Sequence, residues 1–280
     1  MTLLKKMEKA ARILPKAQST VADFVAKHSR EVVFMTIEQL SRRVGVSTAT
    51  VMRLAVNLGY SGFTDMINCL KKTFIEKEAP YNKFIQSLEQ EQGAFPNLLE
   101  LEQTLIKLTD LINDSNKITI AADMLFNARN VFFTGYRVSY VVATYLYQGI
   151  CKIHDSCSLI QPNSVDLLEQ IRRIGPGDVV FGCVFPRYYS LVPNILKSAQ
   201  ERGAKTILFS DGYNSPAAVN ADILLPCHFE TKSFHVSILG AVYLSDCIIT
   251  SLSRIDPQRT MRMLNETEEI FLEYFKKQMR

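Results

Sequence analysis

The first facts about this 280-residue sequence are absences. Its longest run without a charged residue, Val138 to Cys151, is 14 residues, short of the roughly 18 that a membrane-crossing helix needs. The opening stretch, MTLLKKMEKAARILPK, alternates charged and apolar residues and has no apolar signal core. A cytoplasmic location is therefore expected. The six cysteines include no CxxC pair, and in a chain too large to need stapling they read as buried reduced thiols. The four histidines are scattered. Neither Cys227-His228 with His235 nor His154 near Cys157 has the paired spacing of a structural zinc site, so no metal is expected. The stretch GYRVSYV lacks two glycines of a dinucleotide fingerprint, and no cofactor is expected.

What is present is a globular chain, 47% hydrophobic and 21% charged, of a length that suggests about two domains at roughly 150 residues each. Its charge is uneven. Residues 1–77 hold 13 Lys and Arg against 6 Asp and Glu, a net of +7, whereas residues 78–280 hold 19 against 22, a net of −3. Such asymmetry suggests that the N-terminal part meets a polyanion.

Three helices are expected in that basic part. The first runs from about Thr20 to Lys27 behind Ser19, with Val21, Phe24 and Val25 on one side. The second opens on Thr36-Ile37-Glu38-Gln39, a capping box, turns Ile37, Leu40 and Val44 inward and breaks at Gly45. The third follows Ser47 as N-cap, and Val51, Leu54, Ala55 and Leu58 keep the i, i+3, i+4, i+7 spacing of a buried stripe. Its outer face carries Thr48, Thr50, Arg53 and Asn57. These hydrogen-bonding side chains suit a recognition helix in a major groove. Ser47 sits at the start of that helix, and Arg42 and Arg43 end the helix before it, placed to touch phosphate. The pattern predicts a helix-turn-helix reader of double-stranded DNA.

From Lys71 to about Asn127 the pattern is helical and carries no recognisable chemistry. Strands and helices then alternate, with strands at NVFFT (130–134), DVVFGCV, KTILFS and ADILLPC. Continuous apolar strands between helices predict a parallel sheet covered on both faces. Ligands of such sheets bind outside the carboxyl ends of the strands. The first strand end offers Gly135, Tyr136, Arg137 and Ser139; the second Arg187, Tyr188, Tyr189 and Ser190; the third Ser210 and Asp211; the last Glu230 and Ser233. Ser139, Ser190 and Ser215 are expected at or near helix starts. Arginines and tyrosines there point to a small anion, carboxylate or phosphate, since a guanidinium pairs with either. In the structural alternative, Arg187 pairs with an acid such as Asp211 and the tyrosines pack at a dimer contact.

The run VSTATVMRLAVNLGYSGFTDM, the helical segment after it and SAQERGAKTILFSDGYNSPAAVNADILL together resemble the RpiR family of bacterial transcriptional regulators, whose C-terminal part is a sugar isomerase (SIS) domain. The resemblance implies an α + α/β chain: an all-α helix-turn-helix domain (1–77), a helical linker (78–127), a SIS-like parallel α/β sandwich (128–255) and a C-terminal helix (256–280). It further implies homodimers on palindromic operators, answering to a small metabolite, usually a phosphosugar. The ligand loops depart from the family. Where its first loop reads G-x-G-x-S, Gly135 and Ser139 match but Arg137 replaces the second glycine. Where its second reads S-x-S-G-x-T, this chain has Val184, Pro186, Arg187 and Tyr189. The expected function is a non-enzymatic, ligand-responsive DNA-binding regulator. The alternative is a phosphosugar isomerase using Glu230 and His235 as acid and base.

Overall fold

The computed structural model describes residues 6–278 except 8, 10, 11, 34, 78, 91–97, 162, 214 and 230–233. Two compact units are present, one built largely on residues 1–92 and the other on residues 93–231 and 235–280. No helix among the described residues is long and apolar enough to cross a membrane.

The first unit is helical. Helix α1 (Lys16–Lys27) starts behind Pro15, not at Thr20. The Pro15 carbonyl takes the amides of Gln18 and Ser19 at 2.8 and 2.9 Å, so Ser19 lies inside the helix and does not cap it. A single turn, α2 (Ser29–Val32), follows without a legible signal. Helix α3 (Ile37–Val44) has the expected capping box. Thr36 Oγ1 accepts from the Gln39 amide at 3.2 Å, and Gln39 Oε1 accepts from the Thr36 amide at 2.8 Å. Gly45 ends it in the left-handed region, φ 74°, a conformation glycine adopts without steric cost. Helix α4 (Thr48–Asn57) is capped by Ser47, whose hydroxyl accepts from the Thr50 amide at 3.2 Å. Helices α5 (Phe63–Lys77) and α6 (Pro80–Gln90) complete the unit. Leu40, Val51, Leu54, Ala55, Met66 and Leu70 are fully buried in its core with Val21, Ala22 and Val25 of α1.

The second unit opens with α7 (Leu98–Ile112) and α8 (Ser115–Phe126) and then alternates: β1 (Val131–Gly135), α9 (Val138–Ile150), β2 (Cys157–Ile160), α10 (Leu167–Arg173), β3 (Val179–Val184), α11 (Leu191–Glu201), β4 (Lys205–Ser210), β5 (Ile223–Pro226), α12 (Leu239–Ile255) and α13 (Pro257–Gln278). The five strands are all parallel in the order β2-β1-β3-β4-β5. β2 escapes a reading based on apolar runs: it is an edge strand, short and only partly buried, with Ser158 in its middle.

Alternate residues of the inner strands face opposite layers. Phe133, Phe181 and Phe209 pack with Ala121, Ala122 and Leu125 of α8, Val142 and Leu146 of α9 and Leu244 and Ile248 of α12. Phe181 meets Phe209 edge-on at 4.8 Å and Phe133 at 6.0 Å between ring centroids. Phe132, Val180, Val184, Leu208 and Leu224 face the other way, against Val192, Ile195, Leu196 and Ala199 of α11.

The amino end of the sheet is tied by Asp178, which is fully buried. It accepts from Arg129 Nε and Nη2 at 2.9 and 2.8 Å, from Asn130 Nδ2 at 2.8 Å and from the Gly175 amide at 2.9 Å. Burial alone would raise its pKa, but these donors outweigh burial and hold the carboxyl below the usual aspartate range.

Of the three serines expected at or near helix starts, Ser139 and Ser190 are found there, although neither caps its helix through a side-chain bond. Arg137, not Ser139, occupies the N-cap position of α9, and Ser139 is buried one residue inside the helix. Ser190 precedes α11 in a helical conformation, from which its side chain makes no cap bond. Ser215 leads only into a short 3-10 turn, Ala218–Asn220. The six thiols are free. Cys183 and Cys227 are buried as expected, whereas Cys151 is exposed.

Candidate functional site

In the helical unit, α3 and α4 meet across the Gly45 turn. Burying Val51, Leu54 and Ala55 turns Thr48 and Arg53 to solvent, with Thr50 half-buried at the helix start. The Ser47 and Thr50 hydroxyls lie 2.9 Å apart, so both belong to the capping arrangement as well as to the outer face. Arg53 lies back along its own helix, its Nε donating to the Ala49 carbonyl at 3.3 Å. Arg42 and Arg43 are exposed in the last turn of α3. Asn57 differs from the others. Its Nδ2 donates to Gln18 Oε1 at 2.8 Å, which commits part of its bonding capacity inside the bundle.

In the sheet unit, the order β2-β1-β3 places the reversal of strand order between β1 and β3, the position where open parallel sheets open a crevice for ligands. Gly135 pairs with Cys183 and Val184 with Ser210, so the loops after β1, β3 and β4 emerge together. Gly135 is required by packing: a Cβ there would lie 2.4 Å from the Ser139 carbonyl oxygen. Arg137 and Arg187 are both exposed. They are the two non-glycine residues with positive φ among the described residues, 55° and 74°.

Side chains from separate loops then join. Arg137 Nη1 donates to Tyr189 Oη at 2.9 Å, and this bond raises the Arg137 pKa further, so its charge is permanent. The Tyr136 and Tyr189 rings lie 4.4 Å apart, tilted by 59°. Tyr188 Oη donates to Asp211 Oδ2 at 2.5 Å, so it is the Tyr188 phenol that bonds the acid expected to pair with Arg187. Ser210 Oγ donates to the Val184 carbonyl at 2.6 Å and lies 3.0 Å from Asp211 Oδ1; its hydroxyl ties β4 to β3. Thr134 Oγ1 is buried at the end of β1 with no partner among the described residues. Burial pushes the Cys183 and Cys227 thiols far up, which leaves neither available as a nucleophile. Glu230 and Ser233 lie outside the described residues. No group of three His, Cys, Asp or Glu side chains among the described residues is arranged to hold a metal.

The links Arg137–Tyr189 and Tyr188–Asp211 span 52 and 23 positions. No local pattern announces them. The positive φ values do have a sequence signal, because both arginines occupy positions at which the family motifs place glycine.

Comparison with known proteins assigns both units. The rpiR-family helix-turn-helix domain matches residues 1–77 and the SIS domain matches residues 124–245. An HTH-type transcriptional regulator of Caldanaerobacter subterraneus is 22% identical over 91% of each chain. The HTH-type transcriptional regulator RpiR of Escherichia coli is 22% identical over 74% of this chain and 70% of its own. The NanR protein of Vibrio vulnificus, solved in complex with ManNAc-6P, superposes with a TM-score of 0.66 at 20% identity, covering 98% of this chain and 99% of that one. With its helix-turn-helix unit followed by a five-stranded parallel SIS domain, this chain belongs to the RpiR family of transcriptional regulators.

Proposed function

We propose that this regulator binds operator DNA through α4 and releases or retains it according to a small anionic metabolite held at the carboxyl rim of the SIS sheet. The observation that carries the DNA side is the two-faced α4. Its leucine and valine anchor it in the bundle, while Thr48 and Arg53 stand outside on a unit of net charge +7. Arg53 suits a guanine edge, and Arg42 and Arg43 suit phosphate. The effector side is supported by Arg137 and Arg187 at the rim and by the likeness to NanR, solved with a sugar phosphate. Sugar phosphate and carboxylate are the two candidate classes.

The active species is a homodimer acting in the cytoplasm, and an effector favours one placement of its two reading heads over the other. An apolar stripe supports dimerisation. Met261, Leu264, Phe271 and Phe275 recur at helical spacing along α13, are 43–55% exposed, and the Phe271 and Phe275 rings lie 4.4 Å apart. A stripe of this kind on a surface helix marks a contact face.

Selecting a duplex from a random pool with the full chain, then titrating binding against salt, tests the DNA assignment. Affinity should fall with a log–log slope of about −0.9 per phosphate neutralised. A binding constant nearly independent of salt, or no selected sequence, would refute it.

A further inference from the structure

Resting on the anion-sensing reading above, we infer that the effector is a carboxylate and not a sugar phosphate, its carboxylate gripped by Arg187 beside the Tyr136–Tyr189 pair.

The backbone singles the two arginines out. Every other positive-φ residue among those described is glycine, the residue for which that conformation is unstrained. Arginine adopts it twice, on two loops that meet at the reversal of strand order. Strain concentrated at a ligand crevice marks side chains kept for what they hold.

The donors around Arg187 then decide the ligand's charge and shape. A phosphate monoester brings nearly two negative charges and three oxygens that all need donors. This rim lacks the hydroxyl cradle of the family motif. Val184 and Pro186 stand where the family motif has hydroxyls. Pro186 also lacks an amide hydrogen, as does Pro193 at the third position of α11, so two backbone donors are missing beside the helix start. The Tyr189 hydroxyl accepts from Arg137, which engages one of the five N–H donors of that guanidinium within the protein. Asp211, bonded to Tyr188, adds a carboxylate to the same rim and penalises a dianion more than a monoanion.

Arg187 remains. It is exposed, and no hydrogen bond or ion pair ties it among the described residues. One guanidinium matches one carboxylate in charge and forks both oxygens in a plane. The tilted tyrosines form a flat, polar-tipped wall for the rest of the molecule.

The test uses the full chain in calorimetry and thermal-shift titrations. One panel is benzoate, pyruvate, succinate and glutamate. The other is glucose 6-phosphate, N-acetylmannosamine 6-phosphate and inorganic phosphate. A carboxylate is expected to bind, and its methyl ester is not. Arg187→Ala should weaken that binding about tenfold or more, the scale of a lost charged hydrogen bond, with Arg187→Lys failing to restore it. Arg187→Gly should lose binding while its melting temperature stays at or above that of the parent chain, because it relieves the backbone. A sugar phosphate that binds the parent chain, whether or not Arg187→Ala weakens it, would overturn the carboxylate assignment and leave the anion sensor standing. If neither panel binds, nor changes retention of the selected duplex, the anion reading falls as well.

Discussion

Replacing Gly135 with alanine probes how tightly the ligand rim is built. A Cβ at this position would lie 2.4 Å from the Ser139 carbonyl oxygen, 2.5 Å from its carbon and 2.7 Å from the Tyr140 nitrogen. All three are backbone atoms in the first turn of α9, so no rotamer change relieves the clash and the helix start has to move. Overpacking costs about 1–3 kcal/mol, and an unyielding backbone puts this site at the upper end. The stiffer unfolded chain offsets about 0.4–1 kcal/mol. The net loss of about 2 kcal/mol corresponds to a fall of roughly 4–8 °C in the melting temperature of the SIS unit. Gly182→Ala is the matched control. Its Cβ would meet Leu196 Cδ1 at 2.9 Å and Cδ2 at 3.2 Å, the mobile end of a side chain; about 1 kcal/mol, the lower end of the same range, less the same unfolded-chain offset leaves a net loss of roughly half a kcal/mol or less. Scanning calorimetry of the full chain reads both. An unchanged or raised melting temperature for Gly135→Ala, or a larger loss from Gly182→Ala, would show that contact with the helix backbone is not what demands glycine.

Three further outcomes are expected. Arg53→Ala should relax base preference at one operator position by about 1–3 kcal/mol, whereas Arg42→Ala should weaken all duplexes alike and reduce the salt slope by about one phosphate; competition binding on single-base variants separates the two. His154 accepts the Ser156 amide at Nδ1 and faces the Ala128 carbonyl with Nε2, which fits the neutral ring, and burial lowers its pKa from 6.5. The unfolded chain therefore takes up this proton first. The stability that His154 contributes is whole above pH 6.5 and is lost as pH falls through the lower folded value. Denaturant titrations from pH 7.5 to 5 should show this decline, reduced in His154→Asn. Phe271→Asp with Phe275→Asp should shift the chain to monomer in sedimentation at micromolar concentration, and an unchanged dimer would rule out the α13 stripe as its contact.

Where local chemistry dominates, the sequence is readable. Thr36 and Gln39 mark the start of α3 because their side chains bond only backbone groups within the same turn. The same holds for Ser47 and α4. The inner strands show as apolar runs because both their faces are covered. Legibility fails where the environment decides. β2 carries half-buried residues that no period distinguishes from a loop. Ser139 and Ser190 have the right type for a cap, but Ser139 falls inside its helix and Ser190 precedes its own in a helical conformation that makes no cap bond. At the rim, the residues are visible but their pairings are not: Tyr188 and Asp211 look unrelated until β3 and β4 bring their ends together.

Because all five strands point the same way, the sheet has two margins with separate duties. One is fastened by Asp178 and the four hydrogen bonds its carboxylate accepts, where a change harms folding. The opposite one carries the arginines and tyrosines on turns that the fastening does not touch. With the effector at that rim, as proposed above, such a separation would let a lineage retune what the regulator answers to without refounding the molecule, and an engineer seeking a new inducer would have the same freedom.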